Sequence, residues 1–506
     1  MDNQLKIGVL LSYVNIFVTL LRGLLYTPIL LRLLGQSEYG LYSLIGSLIV
    51  YFSMLDLVLG TAIVRYTAKN RAIGDKNSEA NLNGMFLSLY VVIGLLTVIV
   101  GTVLYDNLDN LFYAALTNEE LSKAKLMTAL LIFNFAISFP LSVFSSLMQA
   151  YERFVFLRLC NICRDVLHPM VVLPLLYMGY GSVMIVAIFT ILNIGCLLLH
   201  VYYCFRYLHI SFRFTSFDFV LLKEIAVYSF FVFLNVVTDR VYWSTGQFIL
   251  GMISGTSVVA IYAVAMQFVM IYNAFSTAIS GILLPKVTMM TANKASNTEL
   301  SALMIRIGRL QYIVIGYIFA MFVLCGRMFL YLWAGAAYEE AYIVIVMILL
   351  VISFPLIQNT GITILRAKNL NKFIMTVYAI AAFINVLISI PLAKQYGGLG
   401  CAAAIAGVQL VANVFITNTY YYYKIGLDMP LFWKSMMRMS LPILILLIVG
   451  FLMSPLFNEY TWTNMLLQSG VFSLVYIVAM FFVGMNQYEK GLLQKLFIAL
   501  YEKIRL

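Results

Sequence analysis

The chain has 506 residues, of which 63% are hydrophobic and only 10% charged, with a formal net charge of +11. A soluble domain carries about 25% charged residues, so this one has too little charge to cover a water-facing surface and its apolar runs must face lipid. A soluble enzyme is thereby excluded, and the positive charge sits in the loops between the runs, which removes the case for nucleic-acid binding.

In chain order the apolar runs are 7–34, 39–64, 84–104, 124–148, 160–178, 183–205 and 225–253, then 258–284, 302–324, 341–365, 373–393, 398–422, 435–453 and 463–484. Each is near or above the roughly 20 residues that cross a bilayer. The expectation is an all-α integral membrane protein of about fourteen spans. The first run is too long for the apolar core of a cleaved signal, so none is expected.

An even number of spans puts both termini on one side, and the basic residues say which side. With the N-terminus in the cytoplasm, inner loops hold Arg65, Lys69, Arg71 and Lys76, Arg153 and Arg158, and Arg206, Arg213 and Lys223. Further inner loops hold Lys286, Lys294, Arg306 and Arg309, then Arg366, Lys368 and Lys372, then Lys424, Lys434 and Arg438. Outer loops hold only Arg32, Lys123, Lys125, Arg327 and Lys394. With the termini included, the inner excess is about five to one, so both termini are expected in the cytoplasm.

An internal repeat organises the spans. Gly35-Gln36-Ser37-Glu38-Tyr39-Gly40-Leu41-Tyr42 joins the first to the second, and Gly255-Thr256-Ser257-Val258-Val259-Ala260-Ile261-Tyr262 joins the seventh to the eighth, 220 residues on. The same offset places Asn15 on Asn235. The reading is two six-helix lobes in the same orientation. They cover 1–210 and 225–423, joined by a cytoplasmic linker at 211–224. Two further spans follow within 435–484, and the tail at 487–506 reads as an interfacial amphipathic helix.

Charges in lipid are costly and mark pathways. Arg22 lies near the middle of the first span, too deep to snorkel easily. Asn15, Thr19, Arg22 and Tyr26 share its face at helical spacing. Asn235, Asp239, Tyr242 and Gly246 repeat the design on the seventh span, with Thr238 beside them. The two stripes are expected to line a central cavity, with Asp239 opposite Arg22; alternatively Arg22 and Asp239 pair as a structural lock. Arg240 points about 100° away from that stripe. Asp56 is a second candidate for carrying a coupled ion, and Arg65 closes the second span at the inner mouth, as a guide or merely as one basic loop residue.

Other polar groups have plainer expectations. Arg164, Asp165 and His168 read as a local ion pair, Gln409 and Asn413 as an interhelical hydrogen-bonding pair. Tyr420, Tyr421, Tyr422 and Tyr423 read as an interfacial aromatic belt. Cys160 and Cys163 form a CxxC with no second Cys/His pair near it in sequence, and read as packing residues. No cofactor and no metal site is expected. There is no phosphate-binding GxxxxGK[ST] loop and no HExxH.

Three segments carry a family resemblance. Leu30-Leu31-Arg32-Leu33-Leu34-Gly35-Gln36-Ser37-Glu38-Tyr39-Gly40-Leu41-Tyr42 resembles the end of the first span in the polysaccharide transporter family. Asp56-Leu57-Val58-Leu59-Gly60-Thr61-Ala62, on to Arg65-Tyr66, is similar to that family's second span, and Tyr396-Gly397-Gly398-Leu399-Gly400-Cys401-Ala402-Ala403 to the start of its twelfth. The family holds the O-antigen and capsule oligosaccharide flippases of the multidrug/oligosaccharidyl-lipid/polysaccharide exporter superfamily. The resemblance extends to length and to the twelve-plus-two helix count. It implies a V-shaped, MATE-like, two-lobe transporter in the bacterial inner membrane that flips undecaprenyl-pyrophosphate-linked oligosaccharide outward for lipopolysaccharide, capsule or exopolysaccharide assembly.

On that reading the partners are lipid-linked oligosaccharide, membrane lipid, and glycan polymerase and glycosyltransferases. Arg22 is the expected contact for the pyrophosphate or for an acidic sugar, because a guanidinium matches phosphate oxygens. Asp239, with Asp56 in reserve, would carry a coupled proton or cation, or break its pairing with Arg22 during the cycle. A cation-coupled multidrug exporter on the same fold is the alternative, kept open by the two aspartates and opposed by Arg22. A membrane enzyme of glycan assembly is a third reading, weakened by the lack of paired catalytic carboxylates.

Overall fold

The computed structural model describes residues 2–214, 219–281, 284–293, 295–368, 370, 372–457, 459–492 and 494, and among them there is helix, turn and bend but no strand. Hydrocarbon offers no partner for backbone N–H and C=O groups, so a spanning chain must satisfy them within each helix. Of the expected linker at 211–224, residues 215–218 lie outside the described residues. The expected tail helix is described only over 487–492 and at 494, where 487–492 are helical.

Twelve helices among the described residues are long and apolar enough to cross a membrane. Two are double length: Val14–Ile73 has 60 residues and Lys372–Ile425 has 54. At about 1.5 Å per residue each would far exceed a hydrocarbon core of about 30 Å. A glycine breaks each one. Gly35 has φ 76° and ψ 172°, and Gly397 has φ 56° and ψ −132°, conformations that a side chain at Cβ disfavours. Each double helix is therefore two passes, which gives the fourteen that the sequence pattern predicts. The protein is a multi-pass membrane protein.

The chain folds as two compact units, Met1–Ala263 and Val264–Leu506. In the first, the helix Asn118–Ala150 packs against Lys76–Phe112, Ser182–Arg206 and Thr27–Ile73. Its core includes Ile63, Phe86, Tyr90, Val143 and Leu147, all fully buried. Helix Phe219–Ile253 packs on Thr27–Ile73 in the same unit, where Tyr51 and Thr245 share a hydrogen bond of 2.7 Å.

At one end of this unit the two repeated segments meet. Both glycines are left-handed, Gly35 at φ 76° and Gly255 at φ 83°. Gly40 lies so close to the second segment that a Cβ there would stand 1.9 Å from the Thr256 carbonyl oxygen. Ser37 and Thr256 hydroxyls lie 3.1 Å apart, and both donate to Glu120, with Thr256 at 2.8 Å. Glu120 closes a capping box with Thr117 at the start of its own helix.

In the second unit the helix Asn297–Ala334 packs against Ala341–Ile357, Met429–Met453 and Trp462–Ala479. The two added spans are pinned to it by tyrosines. Tyr312 shares a hydrogen bond of 2.6 Å with Ser440, Tyr317 one of 2.7 Å with Ser473, and Tyr476 donates to the Ile313 carbonyl at 2.7 Å. Arg309 is buried and gives both Nε and Nη2 to Glu489, at 2.6 and 2.8 Å.

The twelfth span matches one expectation and corrects another. Asn413 donates to Gln409 and accepts from Tyr378 on the preceding pass at 2.9 Å, which is the interhelical bond expected of that pair. The four tyrosines are not one aromatic belt. Tyr421 is fully buried in the second unit's core, whereas Tyr423 is 79% exposed. A run of four on a helix points all round it, so one of them must face inward.

Candidate functional site

The first unit holds a polar cavity of about 370 Å³. Its floor comes from a row of small polar residues on the fourth span: Asn134, Ser138, Ser142, Ser145 and Gln149 all line it. Their spacing of four, four, three and four residues keeps them on one helix face. Facing this row are Asp56 of the second span, Arg158, Asn161 and Arg164 of the fifth, and Asn193 and His200 of the sixth. None of the fourth-span residues was among the expected site residues. The same periodicity that exposed the Arg22 stripe would have shown them, but small hydroxyls in an apolar span draw less notice than a charge.

A chain of ion pairs and hydrogen bonds runs from the first span into this cavity. Arg22 Nη1 lies 3.4 Å from Asp165 Oδ1, and Arg164 Nη2 approaches the same oxygen at 3.5 Å. Arg164 Nη1 donates to Asn193 Oδ1 at 3.1 Å. Asn193 Nδ2 in turn donates to Asn134 Oδ1 at 3.1 Å and to Ser138 Oγ at 2.9 Å. One carboxylate thus stands between two guanidiniums and cannot neutralise both. Arg22 opens a π-helical turn, Arg22–Tyr26, within the first span. Such turns insert an extra residue and collect at functional sites.

The partner of Arg22 is therefore Asp165 and not Asp239, which corrects the proposed Arg22–Asp239 lock. The local ion pair expected at the start of the fifth span does form, but it reaches across to the first span as well. Asn15 is partly buried, and its Oδ1 has no partner among the described residues. Thr19 donates to the Asn15 carbonyl at 2.9 Å, so its hydroxyl is used within its own helix. Tyr26 is buried, with its ring edge-on to His168 at 6.0 Å.

On the seventh span Asn235 and Asp239 are exposed, while Tyr242 is buried. Thr238 donates to the Leu234 carbonyl of its own helix at 2.7 Å. Gly246 faces Tyr262, whose hydroxyl would stand 2.7 Å from a Cβ. Asp56 accepts a 2.5 Å hydrogen bond from Ser142 inside the cavity. Arg65 is exposed, its guanidinium 5.7 Å from the Tyr66 ring. Of the expected residues, the structure places Asp56 in the cavity wall and Arg22 one carboxylate away from it.

A family model described as polysaccharide biosynthesis protein matches residues 5–291. The chain belongs to this polysaccharide biosynthesis protein family. No curated protein matched it by sequence. Among solved structures, the lipid II flippase MurJ in an inward closed conformation is similar with a TM-score of 0.72 at 16% identity, covering 93% of this chain and 98% of that one. An inward-facing multidrug resistance MATE transporter of the MOP superfamily has a TM-score of 0.57 at 16% identity, covering 75% and 92%. A MOP superfamily transporter from Pyrococcus furiosus, described as having a binding pocket of reverse polarity, has 0.51 at 15%, covering 82% and 92%. At these identities the likeness shows the fold alone, one that the chain shares with the lipid II flippase and with these two transporters.

For a member of the polysaccharide biosynthesis protein family, the polar end where the repeats meet carries the other notable electrostatics. Glu38 accepts from the Ser182 N–H at 2.9 Å, from the Ser182 hydroxyl at 2.8 Å and from Lys123 at 2.9 Å. Burial opposes its charge, but these donors together hold the carboxyl below the ordinary 4.5. Glu120 behaves likewise: burial opposes its charge, and donors from Ser37, Thr117 and Thr256 hold it below 4.5.

Proposed function

We propose that this protein is a flippase that carries undecaprenyl-pyrophosphate-linked oligosaccharide from the inner to the outer leaflet of the bacterial cytoplasmic membrane. It would do so by alternating access, supplying surface polysaccharide assembly such as O-antigen, capsule or exopolysaccharide, alongside glycosyltransferases and a glycan polymerase. The observation that carries the reading is the balance of charge at the cavity. Arg158 and Arg164 line it against the carboxylate of Asp56, and Arg22 joins the same network through Asp165.

A pyrophosphate brings negative charge that must leave water, and a guanidinium fork offers it paired donors in a fixed plane. The row Asn134, Ser138, Ser142 and Asn193 offers the mixed donors and acceptors that sugar hydroxyls need. The lipid tail would stay in the bilayer, with the two added spans as its groove. Family membership and the fold shared with the lipid II flippase support the same class of cargo. The test replaces Arg164 and Arg22 singly by Ala in the producing strain. Surface polysaccharide should fall while lipid-linked precursor accumulates at equal protein level. Normal surface polysaccharide in both variants overturns the reading.

A cation exporter on the same fold is favoured by one observation: Asp56 sits in the cavity wall and takes its hydrogen bond from a hydroxyl, Ser142, rather than from a guanidinium. That reading predicts cation efflux that Asp56→Asn abolishes and Arg164→Ala spares.

A further inference from the structure

The CxxC of the fifth span does not act as a pair in the fold. Cys163 is exposed, whereas Cys160 turns toward the sixth span. There it meets Cys196 and His200, which lie four residues apart and so share a helix face. The two thiol sulfurs and an imidazole nitrogen all lie within 4.8 Å of one another. Cys196 and His200 are both buried and line the polar cavity.

We propose that Cys160, Cys196 and His200 form a binding site for a borderline-soft d¹⁰ cation of the zinc class. Two sulfurs and one imidazole are the donor set such ions select over hard cations, which prefer oxygen. Zinc takes sulfur at about 2.3 Å and imidazole nitrogen at about 2.0–2.1 Å, so neighbouring ligand atoms of a tetrahedron stand about 3.6 Å apart. Cys196 Sγ and His200 Nε2 are 3.9 Å apart, within a few tenths of an ångström of that spacing. His200 is a buried imidazole with no oxygen partner among the described residues: the one atom within hydrogen-bonding reach of Nε2 is the Cys196 sulfur, and Nδ1 has no hydrogen bond. A buried polar ring left so is costly, and a metal ion on Nε2 repays it.

The charge also closes. Two thiolates and one divalent ion sum to zero, which offsets the penalty that either charge alone would carry in the membrane. The fourth position falls on the cavity side, to water or to an oxygen ligand. Arg164 lies four residues after Cys160, and Asn193 three residues before Cys196, so the ion would clamp the fifth and sixth spans beside the Arg164–Asn193 hydrogen bond. This site stands independently of what the protein transports.

The experiment uses the purified full-length protein in detergent, reduced and stripped of metal, with cobalt(II) as the optical probe and zinc(II) as competitor. One equivalent of cobalt should bind with the visible bands of a tetrahedral site and the charge-transfer intensity of two thiolates, and zinc should displace it. Cys160→Ser and Cys196→Ser should each remove one thiolate's intensity and weaken binding at least tenfold. His200→Gln should weaken binding but keep both thiolate contributions, and Cys163→Ser should change nothing. Maleimide labelling of the unmutated protein needs no variant to fold: zinc should slow modification of the partly exposed Cys160 and leave the exposed Cys163 unaffected. The absence of a thiolate band, or labelling of Cys160 at the same rate with and without zinc, overturns the proposal. So does a cobalt complex lost in Cys163→Ser.

Discussion

Exchanging the charges of Arg22 and Asp165 separates a structural ion pair from a headgroup site. Unit charges 3.4 Å apart attract by about 5 kcal/mol at an effective dielectric of about 20. Two facts reduce that gross figure. The Arg22 side chain is 37% exposed and therefore screened, and Asp165 is shared with Arg164 at 3.5 Å. The expected coupling in a double-mutant cycle of Arg22→Ala and Asp165→Ala is about 1 kcal/mol. A charge-assisted hydrogen bond from Arg22 to a phosphate contributes about 1.5–3 kcal/mol, or about ten- to a hundredfold in flipping. Arg22→Ala should therefore lower surface polysaccharide far more than it lowers the melting temperature of the purified protein. Arg22→Lys should restore part of the activity, since it keeps charge and loses the fork. The combination Arg22→Asp with Asp165→Arg should recover the ion pair and its stability without recovering export, because the guanidinium now sits on the fifth span. Full surface polysaccharide in the exchanged variant, at equal protein level, would refute the headgroup role and leave Arg22 as a tie between helices.

Gly40→Ala should destabilise the protein by at least about 1–3 kcal/mol, because its Cβ would meet a backbone oxygen that cannot move alone. Gly35→Ala should cost only about 1–2 kcal/mol, since its φ of 76° is strained for alanine but the space around it is open; thermal unfolding in detergent compares them. Glu489→Gln should cost about 3–5 kcal/mol by stranding the buried Arg309, while Arg309→Leu with Glu489→Leu should cost much less. Because Glu38 is held below 4.5 in the fold, its contribution is complete above that pH and is lost as pH falls through the lower folded value. The melting temperature should fall on acidification below 4.5, and Glu38→Gln should flatten that part of the profile. Reporter fusions after Lys76 and after Lys372 should both report cytoplasm, and a signal from the far side at either point would break the topology.

Length and periodicity made the helices legible, since each span declares itself through its own twenty or so residues. The break at Gly35 was legible for the same local reason: a polar Gly-Gln-Ser-Glu interrupts an apolar run. The companion of Arg22 was not. Arg22 and Asp239 each lie on a polar stripe, but a stripe says which way a helix faces and nothing about which helix it meets. Asp165 is next to Arg164 in sequence, which made a local pair the obvious reading and hid its reach to the first span. Cys160 shows the same blindness. Its sequence neighbour Cys163 is the wrong partner, and the right ones, Cys196 and His200, sit about forty residues away on a helix that only packing brings alongside.

The π-helical turn at Arg22–Tyr26 gives the first span a stored rotation. An α-helix advances about 100° and 1.5 Å per residue, and the turn holds one residue more than the α form would. Were that residue absorbed into α-helix, Arg22 and everything before it would swing by about a third of a circle relative to Tyr26. The guanidinium would leave Asp165 without any bend of the helix axis and without moving the far end of the span. A local exchange of backbone hydrogen bonds within this one turn would thus work as a turnstile, offering or withdrawing a positive charge while the surrounding bundle stays in place.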